Sequence, residues 1–269
     1  MTSPISAILS RLVDSLRRNE AIASIGLSSS PLPTQKGEGD IDLFIYCRNL
    51  PAPAGRTEFI LPELRTLPLF RPAVYDSPIW GSTDYVEIAG VETWLMYFTV
   101  AAARAEFESI ISGQTIDRLN GYYPTGRLAM YRNMTILHDD GGLLAGFKAR
   151  LAVYPPALKA RLIEKCLAEV NDEEDLLRAV TRGDVLFFHA AIDSAVDSLL
   201  QLTFAVNECL FPGRKRNRQH LETFARAPQD MYPRIQHILF LGTRPACLQS
   251  AFEQFQLLRD ELIRLHLTP

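Results

Sequence analysis

The chain of 269 residues sets 28 Lys and Arg against 31 Asp and Glu, a formal net charge of -3 with a pI near 6.0. That balance excludes a protein whose main work is coating nucleic acid, which needs a strong basic surplus. With 47% hydrophobic and 22% charged residues the composition is that of an ordinary globular protein with a sizeable core, and the length suits two small domains better than one large one.

The N-terminal "MTSPISAILSRLVDSLRRN" lacks the basic start of a secretion signal. Ser3-Pro4 opens a helix instead, with Ile5, Ile8, Leu9, Leu12, Val13 and Leu16 on one face. A short strand is predicted over Ala21 to Leu27, then a loop, then a strand from Ile41 to Cys47. Residues 48–78 are proline-rich and read as irregular chain with one helix around Glu58 to Leu67. "DYVEI" and "VETWLMYFT" form a hairpin closed by Ala89-Gly90. Residues 100–119 read as helix, "NGYYPTGR" as loop and "LHDDGG" as a turn before a helix starting near Leu143. Helix dominates from there. The longest run starts near Asp184 and is stopped by Pro212-Gly213, and "LQSAFEQFQLLRDELIRLH" closes the chain. No run has the apolar length needed to cross a bilayer. Cys47, Cys166, Cys209 and Cys247 are scattered without CxxC spacing, the pattern of buried thiols in a reducing compartment, so the chain is expected in the cytoplasm.

The chemistry concentrates in residues 24–45, "SIGLSSSPLPTQKGEGDIDLFI". Side chains alternate along a strand, so Asp40 and Asp42 share one face while Ile41 and Leu43 share the other. Two carboxylates side by side repel. The pair is tolerable if solvated, if one member is protonated, or if both share a cation, and Mg²⁺ favours one or two carboxylates together with substrate phosphates. Ser28, Ser29 and Ser30 place hydroxyls and backbone N–H groups just before it, suited to phosphate.

Helix, short strand, small-residue turn, loop and "GDIDLFIY" together resemble the nucleotidyltransferase superfamily that includes DNA polymerase beta, poly(A) polymerases and aminoglycoside nucleotidyltransferases. The stretches "GVETWLMYFT", "SGQTIDRLNGYYPTGR", "ILHDDGGLLAGFKARLAVYPPAL" and "AVNECLFPGRKR" resemble a bacterial branch with a helical C-terminal domain. The resemblance implies an α+β fold: a small mixed sheet with helices over residues 1–135, then an all-helical domain over 136–269. It also implies Mg²⁺ held by Asp40 and Asp42, and nucleotide contacts from Ser29, with Ser28 and Ser30 as alternates. Lys215, after a Phe-Pro-Gly turn, is implied as a phosphate contact across an interdomain cleft. Two positions depart from the family pattern. "LSSS" lacks the turn glycine, and the third acidic position falls on Trp94, which cannot ligate Mg²⁺. Glu92, two residues earlier on the same face, is the substitute, ahead of Glu87, which should sit directly across the hairpin from it; the alternative is that the two glutamates form a surface pair pointing into water and no third acid completes the site.

Other clusters have weaker readings. Arg214, Lys215, Arg216 and Arg218 also suit a solvated helix end. Asp193 and Asp197, four residues apart on the longest helix, line a cleft, supply a base, or form a polar face. His138, Asp139 and Asp140 read as a turn rather than a metal site. Tyr122 and Tyr123 suit packing, or stacking on a base.

The resemblance therefore implies a Mg²⁺-dependent enzyme. It would move a nucleoside monophosphate from ATP or another nucleoside triphosphate to a hydroxyl or amine acceptor, with the nucleotide between the halves and the acceptor in the helical half. Extended nucleic-acid binding and a membrane role are not expected. The alternative is a catalytically impaired nucleotide- or partner-binding module of the same fold. A nucleotide-sugar transferase, which also uses Asp-x-Asp, fits less well, because only one helix and one strand precede the pair.

Overall fold

The computed structural model describes residues 4–28, 32–33, 35–66 and 68–267; Ser29 and Ser30 lie outside them. The chain divides into two units, Met1–Ser109 with Leu128–Val153, and Ile110–Arg127 with Tyr154–Pro269. This differs from a cut at residue 135. The "TILHD" strand and the helix after it belong with the sheet, while residues 110–127 belong with the helices.

The first unit runs α1 (Pro4–Leu16), β1 (Ile22–Leu27), β2 (Ile41–Cys47), α2 (Pro53–Thr57), β3 (Phe70–Ser77), β4 (Gly81–Ile88), β5 (Val91–Thr99), α3 (Val100–Ile111), α4 (Pro124–Asn133), β6 (Thr135–Asp139) and α5 (Leu143–Arg150), the end of α3 and the start of α4 being counted with the second unit. Among the described residues six strands form one sheet in the order β3-β4-β5-β2-β1-β6. Only β2 and β5 pair in parallel, from Ile41↔Thr93 to Cys47↔Thr99, and the other pairs are antiparallel. The fold is α+β, as expected.

Both faces of β2 are buried. Ile41, Leu43, Ile45 and Cys47 join one core with Ile5, Leu9, Leu12 and Leu16 of α1. On the other face Phe44 and Tyr46 meet Phe98, and Tyr131, Phe107 and Phe147 extend an aromatic layer. This explains the nearly unbroken apolar run of β2, which covered strands require.

Two strands escaped the sequence reading, and both are sheet edges. β3 contains Pro72, lacks apolar alternation, and shifts register between Arg71 and Tyr75 around Ala73, whose φ is 51°. Proline and a bulge are tolerated at an edge and disguise the strand. It occupies residues where irregular chain was expected; the helix expected around 58–67 is, among the described residues, only a 3₁₀ turn at Pro62–Leu64, with the short α2 just before it. β6 hides in "TILHDD". The Asp139 carboxylate accepts from Ser24 Oγ at 2.7 Å and from the N–H groups of Leu144 and Ala145 at 3.1 and 2.9 Å, and Asp140 pairs with Arg48. These acids close a strand and start a helix.

The first core also encloses a charge pair. Arg56 and Asp84, both fully buried, meet at 3.1 Å. The Ala73 N–H donates to Asp84 at 2.8 Å, and the guanidinium lies 4.6 Å from the centre of the Tyr97 ring.

The second unit holds α6 (Pro156–Asn171), α7 (Glu174–Arg182), α8 (Val185–Val206), α9 (Arg218–Leu221), α10 (Met231–Leu241) and α11 (Leu248–Leu267). The Asp184 carboxylate caps α8 by accepting from the Phe187 N–H at 3.0 Å. The helix ends at Val206, before Pro212-Gly213, because Glu208 takes a φ of 53° and Asn207 Nδ2 donates to the Thr203 carbonyl at 2.8 Å. Contrary to the sequence reading, α8 is long and apolar enough to cross a membrane, with a mean hydropathy of 1.3 over its most apolar stretch. Of that stretch, 56% is buried within the fold. Phe188, Ile192, Leu199, Leu202 and Phe204 are central to the second core. All four cysteines are thiols. Cys47 lies in the first core and Cys166 in the second, both fully buried.

Candidate metal and phosphate site

Asp40 is exposed just before β2, and Asp42 is half-buried one residue inside it. Burial and the neighbouring Asp40 charge, in that order, raise the Asp42 carboxyl to about 6, opposed by the Ser28 hydroxyl. The Ser28 N–H donates to the Asp42 carbonyl at 3.1 Å, and its hydroxyl lies 3.4 Å from Asp42 Oδ2. Ser28, the one described residue of the serine run, is thus fixed beside the pair. The places of Ser29 and Ser30 lie outside the described residues.

The register of β2 against β5 sets Asp42 beside Trp94. Laterally paired residues share a sheet face, so the position expected to carry a third acid carries an indole. Glu87 and Glu92 are direct partners across the hairpin, as the turn at Ala89-Gly90 requires. Continuing the β2–β5 register by one step brings Asp40 level with Glu92, and both line an open groove of about 380 Å³ with Lys36, Gly37, Gly39, Gly90 and Val91. Lys36 also lines the groove because the β1–β2 loop packs against the hairpin turn near Gly90, an approach the sequence alone does not show.

Among the described residues, no three His, Cys, Asp or Glu side chains are grouped to hold a metal ion. The donor set offers two carboxylates, one of them half-buried and raised in pKa by that burial and then by the other. That chemistry fits a hard divalent cation whose remaining ligands are phosphate oxygens and water.

On the same face a row continues across the sheet. Trp94 pairs with Tyr85 of β4, and Tyr85 with Arg71 of β3. The Trp94 ring meets Tyr85 edge-on at 5.3 Å and Tyr75 at 5.7 Å, and the Arg71 guanidinium sits 4.4 Å from the centre of the Tyr85 ring. Burial comes first in raising the Tyr85 phenol's pKa, followed by the Glu87 and Glu92 charges.

In the helical unit Asp197 is 5% exposed and saturated with partners. It accepts from Tyr123 Oη, from Arg214 Nε at 2.6 Å and from Gln201 Nε2 at 3.0 Å. Arg214 also binds the Asp193 carboxylate and carbonyl, and Arg118 approaches both acids at 3.7 and 3.9 Å. A carboxylate so engaged is a structural hub, which removes the general-base reading of Asp197. Arg214 is likewise no solvated helix end, whereas Arg218 pairs with Glu222 at 2.7 Å on the surface. Tyr123 is buried, its ring edge-on to Phe211 and its phenol pushed up to about 12 by burial and then Asp197, so it offers no face to a base. Lys215 is exposed in the turn after α8. An open cavity of about 500 Å³ in this unit is lined by Asp117, Arg118, Lys165, Glu169, Asp197 and Gln201, among others.

Residues 122–215 match the family described as Domain of unknown function (DUF4037). The matched segment takes in Tyr123, Asp193, Asp197, Arg214 and Lys215, and leaves out Asp40 and Asp42. No curated protein matches the chain in sequence. Among solved structures, a nucleotidyltransferase-like protein from Exiguobacterium sibiricum is similar, with 10% identity and a TM-score of 0.47 over 96% of this chain and 78% of that one.

Proposed function

We propose that the groove at the head of β2 binds a nucleoside triphosphate with Mg²⁺, and that the protein transfers the nucleoside monophosphate to a hydroxyl or amine acceptor. The observation that carries this reading is the Asp40–Asp42 pair, in which burial and like charge raise the Asp42 carboxyl to about 6 beside the Ser28 hydroxyl. When bound, Mg²⁺ supplies positive charge to the phosphate oxygens and relieves the repulsion between the two acids. Asp40 and Asp42 hold it, Ser28 orients Asp42, and Lys36 adds a cation at the groove. The acceptor oxygen or nitrogen bonds to the α-phosphorus as the α–β bridging bond breaks; pyrophosphate leaves, and Glu92 is the carboxylate placed to take the acceptor's proton.

Pyrophosphate release in the presence of Mg²⁺, ATP and a panel of alcohol and amine acceptors tests the reading. Wild-type protein should release it and Asp40→Asn should lose at least about a hundredfold, the scale expected when charge stabilisation at the transferring group is removed. Absence of nucleotide binding with either Mg²⁺ or Mn²⁺ would end it. A second reading, nucleotide binding without transfer, is favoured by one observation: Trp94 stands beside Asp42 where a third acid was expected. Tight binding of ATP with no pyrophosphate release for any acceptor would select it.

A further inference from the structure

We infer that Trp94 and Tyr75 form the surface on which the base of the bound nucleotide stacks, with Arg71 as the positive end of that surface. The inference rests on the nucleotide reading above and specifies how that nucleotide lies. Ser28, Asp42, Trp94, Tyr85 and Arg71 follow one another across neighbouring strands at one level of the sheet and on one face. Neighbouring strands lie about 4.8 Å apart, so the indole stands one strand away from the carboxylate that would hold the phosphate-bound metal. A ribose bridges a separation of that order.

The aromatic group is built for contact from outside rather than for packing. Tyr75 is 56% exposed, and Trp94, against which it leans, is only half-buried. Tyr85 beside Trp94 is buried, meets it edge-on and carries the Arg71 guanidinium on its ring. Trp94 is thus propped by a side chain that has little freedom, and Tyr75 leans on Trp94. Large aromatics held rigid and left in water are what stacking sites present, and every base has a face that can lie on them. An indole cannot ligate Mg²⁺, but beside a metal-binding carboxylate it selects ligands carrying both a phosphate chain and a planar ring.

The chain has two tryptophans, and Trp80 is the other, so Trp80→Phe leaves Trp94 as the sole indole reporter. Its fluorescence is titrated in Mg²⁺ with ATP, and separately with inorganic tripolyphosphate, while calorimetry gives both affinities. ATP should quench the emission and tripolyphosphate should not. Trp94→Ala should weaken ATP about tenfold or more, in line with the loss of one base–aromatic stack. It should leave tripolyphosphate unchanged, and Trp94→Phe should retain most of the ATP affinity. Tyr75→Ser, at an exposed position, repeats the comparison without touching the sheet interior. If ATP and tripolyphosphate bind alike and none of these variants separates them, the stacking surface is wrong while the phosphate site stands. If neither ligand binds wild-type protein, the nucleotide reading fails, and the stacking surface with it.

Discussion

Asp42 releases its proton near pH 6 in the folded chain, against a normal value of 3.8. Between those values the native state holds a proton that the unfolded chain has lost, so stability falls as pH rises through this window and is level above it. A shift of about two units corresponds to roughly 3 kcal/mol, which partial solvation of the group reduces to about 2 kcal/mol or less. Asp42→Asn should therefore be more stable than wild type by about 1–2 kcal/mol at pH 7 and equal to it at about pH 3, below the unfolded value of 3.8. Urea denaturation in a chelator measures both, and a variant less stable at pH 7 would show that the carboxylate is already well accommodated. Adding Mg²⁺ should stabilise wild type and leave the variant unmoved. The pair itself was legible because alternation fixes which side chains share a face, and Trp94 because it can be counted from the turn. Lys36, Tyr75 and Arg71 were not legible, since only cross-strand register gathers residues so far apart in the chain. Asp197 was misleading for a related reason: Arg214 and Tyr123, its partners, reach it from 17 and 74 residues away.

At the level of elements, the β4–β5 hairpin closes through Ala89 at φ 51° and Gly90 at φ 82°, and Ile88 and Val91 are paired on either side of that two-residue turn. Both positions sit in left-handed backbone, which glycine adopts without cost and alanine does not. Asn tolerates that region better and is the preferred partner of Gly in such turns. Ala89→Asn should raise stability by about 0.5–1 kcal/mol without altering the groove, since its gain is local to the turn. A thermal melt that shows no gain would mean the turn is already relaxed. Helices with a single apolar face, such as α1, and strands buried on both faces, such as β2, were readable with nearly correct ends. Edge strands β3 and β6 were not. Proline, a bulge and capping acids, all permitted where one side of a strand is unpaired, remove the alternation on which reading depends.

For the whole molecule, composition and the change from strand-rich to helix-rich sequence near the middle gave the broad organisation. The interleaving was invisible, because residues 110–127 carry no local mark of joining the later helices; they join through Tyr123 and Arg118 at the Asp197 hub. Each unit has its own core, and each core encloses one thiol whose pKa burial pushes up to about 12. The remaining two, Cys209 and Cys247, are only half-buried. An alkylating reagent at mild pH should consume two sulfhydryls at once and leave two others waiting on spontaneous opening of the chain around them. Peptide mass spectrometry over time then yields two separate clocks, Cys47 for the sheet and Cys166 for the helices. Immediate modification of all four would show that neither interior is closed, and unequal lag times would rank the durability of the two halves without a single mutation.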